Sequence, residues 1–120
     1  MSALKASGLF LALLFIRCAT DTTAAEARRL VERGALLLDV RSPSEFAERH
    51  IPGSRNLPVE ELKRRLSELP RDRALVVYCH TGARAGFATE ILRKAGFRVF
   101  NLGTIGHWYH EPAEPPPTLF

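Results

Sequence analysis

Three short apolar runs interrupt this chain at wide intervals: Ala35-Leu36-Leu37-Leu38-Asp39-Val40, Ala74-Leu75-Val76-Val77-Tyr78 and Arg98-Val99-Phe100-Asn101-Leu102. Each is too short for a helix and lacks the polar alternation of a half-buried strand, so each reads as a strand buried on both faces. Between them lie segments of helical character. Thr23-Ala24-Ala25-Glu26 is a capping-box pattern, followed by Ala27, Leu30 and Val31 at helical spacing until Gly34. Ser42-Pro43-Ser44-Glu45 opens a second helix that His50-Ile51-Pro52-Gly53 breaks. Glu60 to Leu69 predicts a third helix, stopped by Pro70, and Ala85 to Ala95 a fourth, ended by Gly96. Buried strands separated by helices need crossover connections, which predicts an α/β fold with a mostly parallel sheet covered on both faces. There is no internal repeat, and 120 residues suffice for one small core.

The second run ends abruptly in chemistry. In Val76-Val77-Tyr78-Cys79-His80-Thr81-Gly82-Ala83-Arg84-Ala85 the cysteine stands just past the strand, with a helix about to begin. Sites in parallel sheets gather at the carboxyl ends of the strands. The thiolate is the reactive form of cysteine, and holding one at neutral pH takes roughly 2 to 3 kcal/mol of preferential anion stabilisation. A loop entering a helix aims free backbone N–H groups inward, and the helix dipole adds to them. Gly82 lets such a loop curl, and Arg84 supplies a permanent charge able to fork two donors onto an anion. Taken alone, Cys79 is a small buried hydrophobe; with Gly82, Arg84 and the helix it is a nucleophile at the base of an anion cradle. His80 points away from its neighbour and is read as tuning the rim, not as a general base.

Composition closes off other classes. The formal charge is +4, but Lys5 and Arg17 sit in an acid-free first twenty residues; the remainder carries 15 basic and 13 acidic side chains, or +2. Those charges interleave, as in Glu60-Glu61-Leu62-Lys63-Arg64-Arg65-Leu66-Ser67-Glu68-Leu69, with none of the clustering of a nucleic-acid surface. His107 and His110 stand three apart, but no second cysteine or carboxylate pair lies at ligand spacing, so no metal and no cofactor is expected.

The ends are read separately. Residues 1–20 place eleven uncharged, mostly apolar residues, Ala6 to Ile16, between Lys5 and Arg17. That is about half the roughly 20 residues a membrane-crossing helix needs, and it fits the centre of a secretory signal. The leading expectation is cleavage near residue 20 and a periplasmic domain. An uncleaved membrane-associating segment, the chain's one expected membrane contact, and a misassigned start remain open. Cys18, directly behind an arginine, matches a lipidated cysteine poorly. After cleavage only Cys79 remains, so no intramolecular disulfide can form. Residues 21–110 form the expected domain and 111–120 a proline-rich tail. No oligomer signal is evident.

Four motifs in order resemble the single-domain rhodanese family of sulfurtransferases, over about Thr22 to Trp108. Leu37-Leu38-Asp39-Val40-Arg41-Ser42-Pro43-Ser44-Glu45-Phe46 resembles its first signature and His50-Ile51-Pro52-Gly53-Ser54-Arg55-Asn56-Leu57-Pro58 its second. Val77 to Arg84 resembles the active-site loop, and Leu102-Gly103-Thr104-Ile105-Gly106-His107-Trp108 the closing element. Two positions depart: Ala85 stands where many relatives have serine, and Thr104 where a second glycine is common. The resemblance implies a three-layer fold with a five-stranded, mostly parallel sheet flanked by helices. It implies that Cys79 takes the outer sulfur of a donor such as thiosulfate as a persulfide and passes it to cyanide or a thiol. His80, Thr81, Gly82, Ala83 and Arg84 then form the substrate-binding loop, with Asp39 and Arg41 bracing it. Four residues separate Cys79 from Arg84; phosphatases related to the family carry one more, which makes a phosphatase or arsenate reductase the weaker alternative. A non-enzymatic sulfur carrier or binding module also remains open, since fold alone does not secure activity.

Overall fold

The computed structural model describes residues 21–110. The apolar segment at the N-terminus, Cys18 and the proline-rich tail lie outside the described residues. The first helix, α1, is Ala24–Glu32, and its capping box forms as expected, with Thr23 and Glu26 each satisfying the other's backbone N–H. Strand β1 is Leu36–Asp39, and α2, Pro43–Glu48, starts from a second capping box between Ser42 and Glu45. Then come β2 (Arg55–Asn56), β3 (Leu75–Cys79), α3 (Ala83–Lys94), β4 (Val99–Thr104) and α4 (Ile105–Tyr109).

The strands pair in the order β2-β1-β3-β4, all parallel. Alternation along each strand sends side chains to two cores. Leu38, Val40, Leu75, Val77, Cys79 and Val99 pack with Ala85, Ala88 and Leu92 of α3. Leu37, Val76, Tyr78 and Leu102 pack with Ala27 of α1, Ile51 and Ile105 on the other side. The expected three layers are present. All five residues of β3 are buried, which makes it the centre of the molecule.

Three expectations need correction. The described residues form four strands, not five: beyond β4 the backbone of Asp21 reaches the sheet, its N–H donating to the Asn101 carbonyl at 3.0 Å. The segment expected as one helix from Glu60 to Leu69 is instead two 3₁₀ turns, Val59–Glu61 and Lys63–Glu68. Its leucines, Leu62, Leu66 and Leu69, still face the core. Arg65 adopts φ −114°, ψ 18° inside the segment, which interrupts the helical ladder and leaves tight turns in place of one regular helix. Finally, Cys79 is the last residue of β3 rather than the first beyond it.

One irregularity bears on the site. Val77 pairs with Asn101 but Tyr78 pairs with Gly103, so Leu102 is an extra residue in β4. Gly103 takes φ +85°, and its N–H donates to Oδ1 of Asn101 at 2.9 Å. Cys79 therefore lies beside Thr104.

Candidate active site

Strand β3 delivers Cys79 to the carboxyl edge of the sheet, and the chain turns at once into α3. Gly82 makes this turn, as the helix N-cap with φ +104°, a left-handed conformation that side chains disfavour. Its N–H donates to Sγ of Cys79 at 3.0 Å. Of the several loop amides expected to face the sulfur, Gly82 is the one that bonds it among the described residues. A Cβ added to Gly82 would lie 4.0 Å from the Thr104 methyl, so the closing element walls this side of the loop. Thr104 also caps α4 by accepting the His107 N–H at 3.1 Å, which gives a hydroxyl a use where the family commonly has glycine.

Cys79 exposes none of its surface, whereas His80, Thr81 and Ala83 above it are exposed and Gly82 is intermediate. The sulfur sits at the bottom of the loop, and His80 is at its rim. Ala85, the other departure, is buried, and its carbonyl accepts the Thr89 hydroxyl at 2.7 Å.

Arg84 is not free. Its Nη1 and Nη2 lie 2.6 and 3.0 Å from Oε1 and Oε2 of Glu45 on α2, a two-pronged ion pair. The Arg84 guanidinium, backed by hydrogen bonds from Ser42, holds the Glu45 carboxyl down at about 2. Arg84 is correspondingly raised, first by Glu45 and to smaller extents by Cys79 and Glu60. Glu45 is the site residue that sequence reasoning missed: its place in a capping box already accounted for it.

Asp39 and Arg41 are brought together as an ion pair, with Asp39 in register with Tyr78, the residue before Cys79. The Asp39 carboxylate accepts from Arg41 Nε at 3.0 and 3.1 Å, from Nη2 at 2.7 Å and from the Arg41 backbone N–H at 2.9 Å. Arg41 also donates to the Arg49 carbonyl at 2.5 Å and lies over the Tyr78 ring. The pair braces the turn between β1 and α2, the turn that presents Glu45.

Fold and site together define a parallel α/β domain with a buried cysteine in a loop that winds into a helix. Residues 23–110 match the rhodanese-like domain family, and the chain belongs to it. It is 39% identical over 90 residues to a sulfurtransferase of Allochromatium vinosum, covering 73% of this chain and 84% of that protein. It is 36% identical over 71 residues to the thiosulfate sulfurtransferase PspE of Escherichia coli, covering 57% and 68%. The human single-domain sulfurtransferase TSTD1 superposes with a TM-score of 0.68 at 32% identity, covering 79% of this chain and 99% of that one. The match and these relatives support sulfur transfer as the general class of chemistry.

Proposed function

We propose that this protein moves a sulfane sulfur from a donor such as thiosulfate to cyanide or a thiol through a persulfide on Cys79. The observation that carries this is the sulfur of Cys79 at the end of β3, accepting the Gly82 N–H at 3.0 Å inside a six-residue loop that ends in Arg84. The Cys79 thiolate attacks the outer sulfur of thiosulfate, the S–S bond breaks, and its electron pair leaves with sulfite. Cyanide or a thiolate then takes the outer sulfur and regenerates the thiolate. This is covalent catalysis in two half-reactions. Gly82 stabilises the negative sulfur by donation, and Arg84 offers the cation nearest a sulfonate.

Incubation with thiosulfate should add one sulfur atom to the intact mass, lost again on adding cyanide. Cys79→Ser should take up none; an adduct that persists in that variant sinks the assignment. Turnover of an aryl phosphate without sulfur uptake would select the phosphatase reading instead. A carrier would load sulfur yet show no catalytic release.

We also propose export to the periplasm with cleavage near residue 20, supported by the apolar Ala6–Ile16 segment behind Lys5. The N-terminal residue of protein purified from its native host tests this.

A further inference from the structure

The cation at the mouth of this site is already matched before any donor arrives. Both arms of the Arg84 fork are engaged by Glu45. The carboxylate is itself fixed, since its Oε1 accepts from the Ser42 N–H at 3.2 Å and the Ser42 hydroxyl at 3.0 Å. With its carboxyl held down at about 2, Glu45 is ionised at every pH at which a thiolate could act. Glu60 adds a second negative charge within electrostatic reach of Arg84. Arg41, which lies within reach of Glu45, is already neutralised by Asp39. Arg84, the cation within electrostatic reach of Cys79, thus meets two carboxylates. The sulfur is buried, but the Arg84 and Glu45 side chains are 32% and 31% exposed, so these charges act across the mouth of the loop, where dissolved salt reaches them.

Thiosulfate brings two negative charges into that balance. Its reaction holds three at the sulfur throughout, as thiolate plus thiosulfate and then as persulfide anion plus sulfite. A protonated alkyl persulfide, RS–SH, brings none. The thiolate takes its terminal SH, the S–S electron pair leaves as RS⁻, and one negative charge is present before and after. We propose that Glu45 is a specificity-determining residue that, by occupying both arms of Arg84, biases the loading of Cys79 toward uncharged persulfides over dianionic thiosulfate. This rests on the persulfide reading of Cys79 given above.

Glu45→Gln tests it, because glutamine preserves the capping box with Ser42 while removing the charge. Single-turnover sulfur uptake is followed by intact mass with thiosulfate and with cysteine persulfide, both at an acidic pH at which the SSH group stays protonated and the amino and carboxylate charges cancel. The expected result is a rise of about tenfold in the thiosulfate rate and less than about twofold for the persulfide, as removal of a like charge predicts. Glu45→Asp, which keeps the charge, should stay near the wild-type donor ratio. Salt provides a readout that needs no variant: the wild-type thiosulfate rate should climb with ionic strength, and the persulfide rate should not. An unchanged donor ratio in Glu45→Gln, or a wild-type thiosulfate rate that falls with salt, overturns the role of Glu45 alone. Failure of Cys79 to take sulfur from either donor overturns the sulfur-transfer reading and this one with it.

Discussion

The backbone N–H of Gly82 donates to the Cys79 sulfur from a residue whose φ is +104°. A single backbone torsion therefore aims the donor at the nucleophile. The space beside Gly82 would admit a methyl group, since a Cβ there would stand 4.0 Å from the Thr104 methyl, but the torsion resists one. Gly82→Ala should cost about 1–2 kcal/mol of stability, measurable by urea unfolding. It should also slow sulfur uptake by relaxing the loop. Unfolding indistinguishable from wild type would show that the loop does not need its left-handed residue.

Removing Arg84 should do more than delete a cation. In Arg84→Ala the Glu45 carboxylate remains at the mouth without its partner, so the thiosulfate KM should rise strongly while kcat changes less. Lysine should restore little, because the bidentate pairing needs the guanidinium fork. An unchanged KM would remove Arg84 from donor binding.

The same ion pair should leave a mark on acid stability. Glu45 titrates lower folded than its ordinary 4.5, falling to about 2, so its contribution to stability is full above 4.5 and lost as pH drops toward 2. Arg84→Ala should remove that part of the acid dependence. Urea midpoints between pH 5 and 2 check this; parallel wild-type and variant curves contradict it.

Asp39 and Arg41 form a buried pair, with side chains 0% and 6% exposed. Asp39→Ala strands a guanidinium in the interior, and the expected loss is about 3–5 kcal/mol. A loss under about 1 kcal/mol, the range of exposed pairs, would mean that water reaches Arg41 readily.

Tyr78, next to the nucleophile, accepts the buried Ile51 N–H at 3.1 Å and shares a 2.8 Å hydrogen bond with the Ser54 hydroxyl. Burial is the main reason its phenol is pushed up to about 12. Tyr78→Phe leaves the Ile51 N–H unpaired and should cost about 1–3 kcal/mol. Denaturant unfolding at neutral pH measures it, and an unaltered midpoint would show that this N–H finds another partner.

Much of this architecture was readable because its signals are local. Both capping boxes join residues three apart, and the buried strands announce themselves as unbroken apolar runs. Strand β2 had no such signal: Arg55–Asn56 is two polar residues paired to β1. The 3₁₀ turns were hidden because Leu62, Leu66 and Leu69 fit a helical stripe equally well. In the site, Cys79 and Gly82 were legible from the end of a strand and a glycine before a helix. The Glu45–Arg84 pair joins positions 39 apart, and a glutamate already occupied in capping gives no reason to seek a distant partner. Asp39 and Arg41 were expected to brace the cysteine loop; their side-chain bonds run to each other and to the Arg49 carbonyl, and Arg41 lies over the ring of Tyr78, the residue before Cys79.

The extra residue in β4 sets a counting rule for the whole cup. Were Leu102 paired in regular register instead of bulged, it would fall opposite Tyr78 and Gly103 opposite Cys79, and the threonine methyl that walls the glycine turn would be carried one residue past it. The nucleophile's surroundings thus depend on the arithmetic of a strand that supplies neither the thiol nor the arginine. A one-residue slip there would take Thr104 away from the loop while leaving every one of the loop's own residues in place.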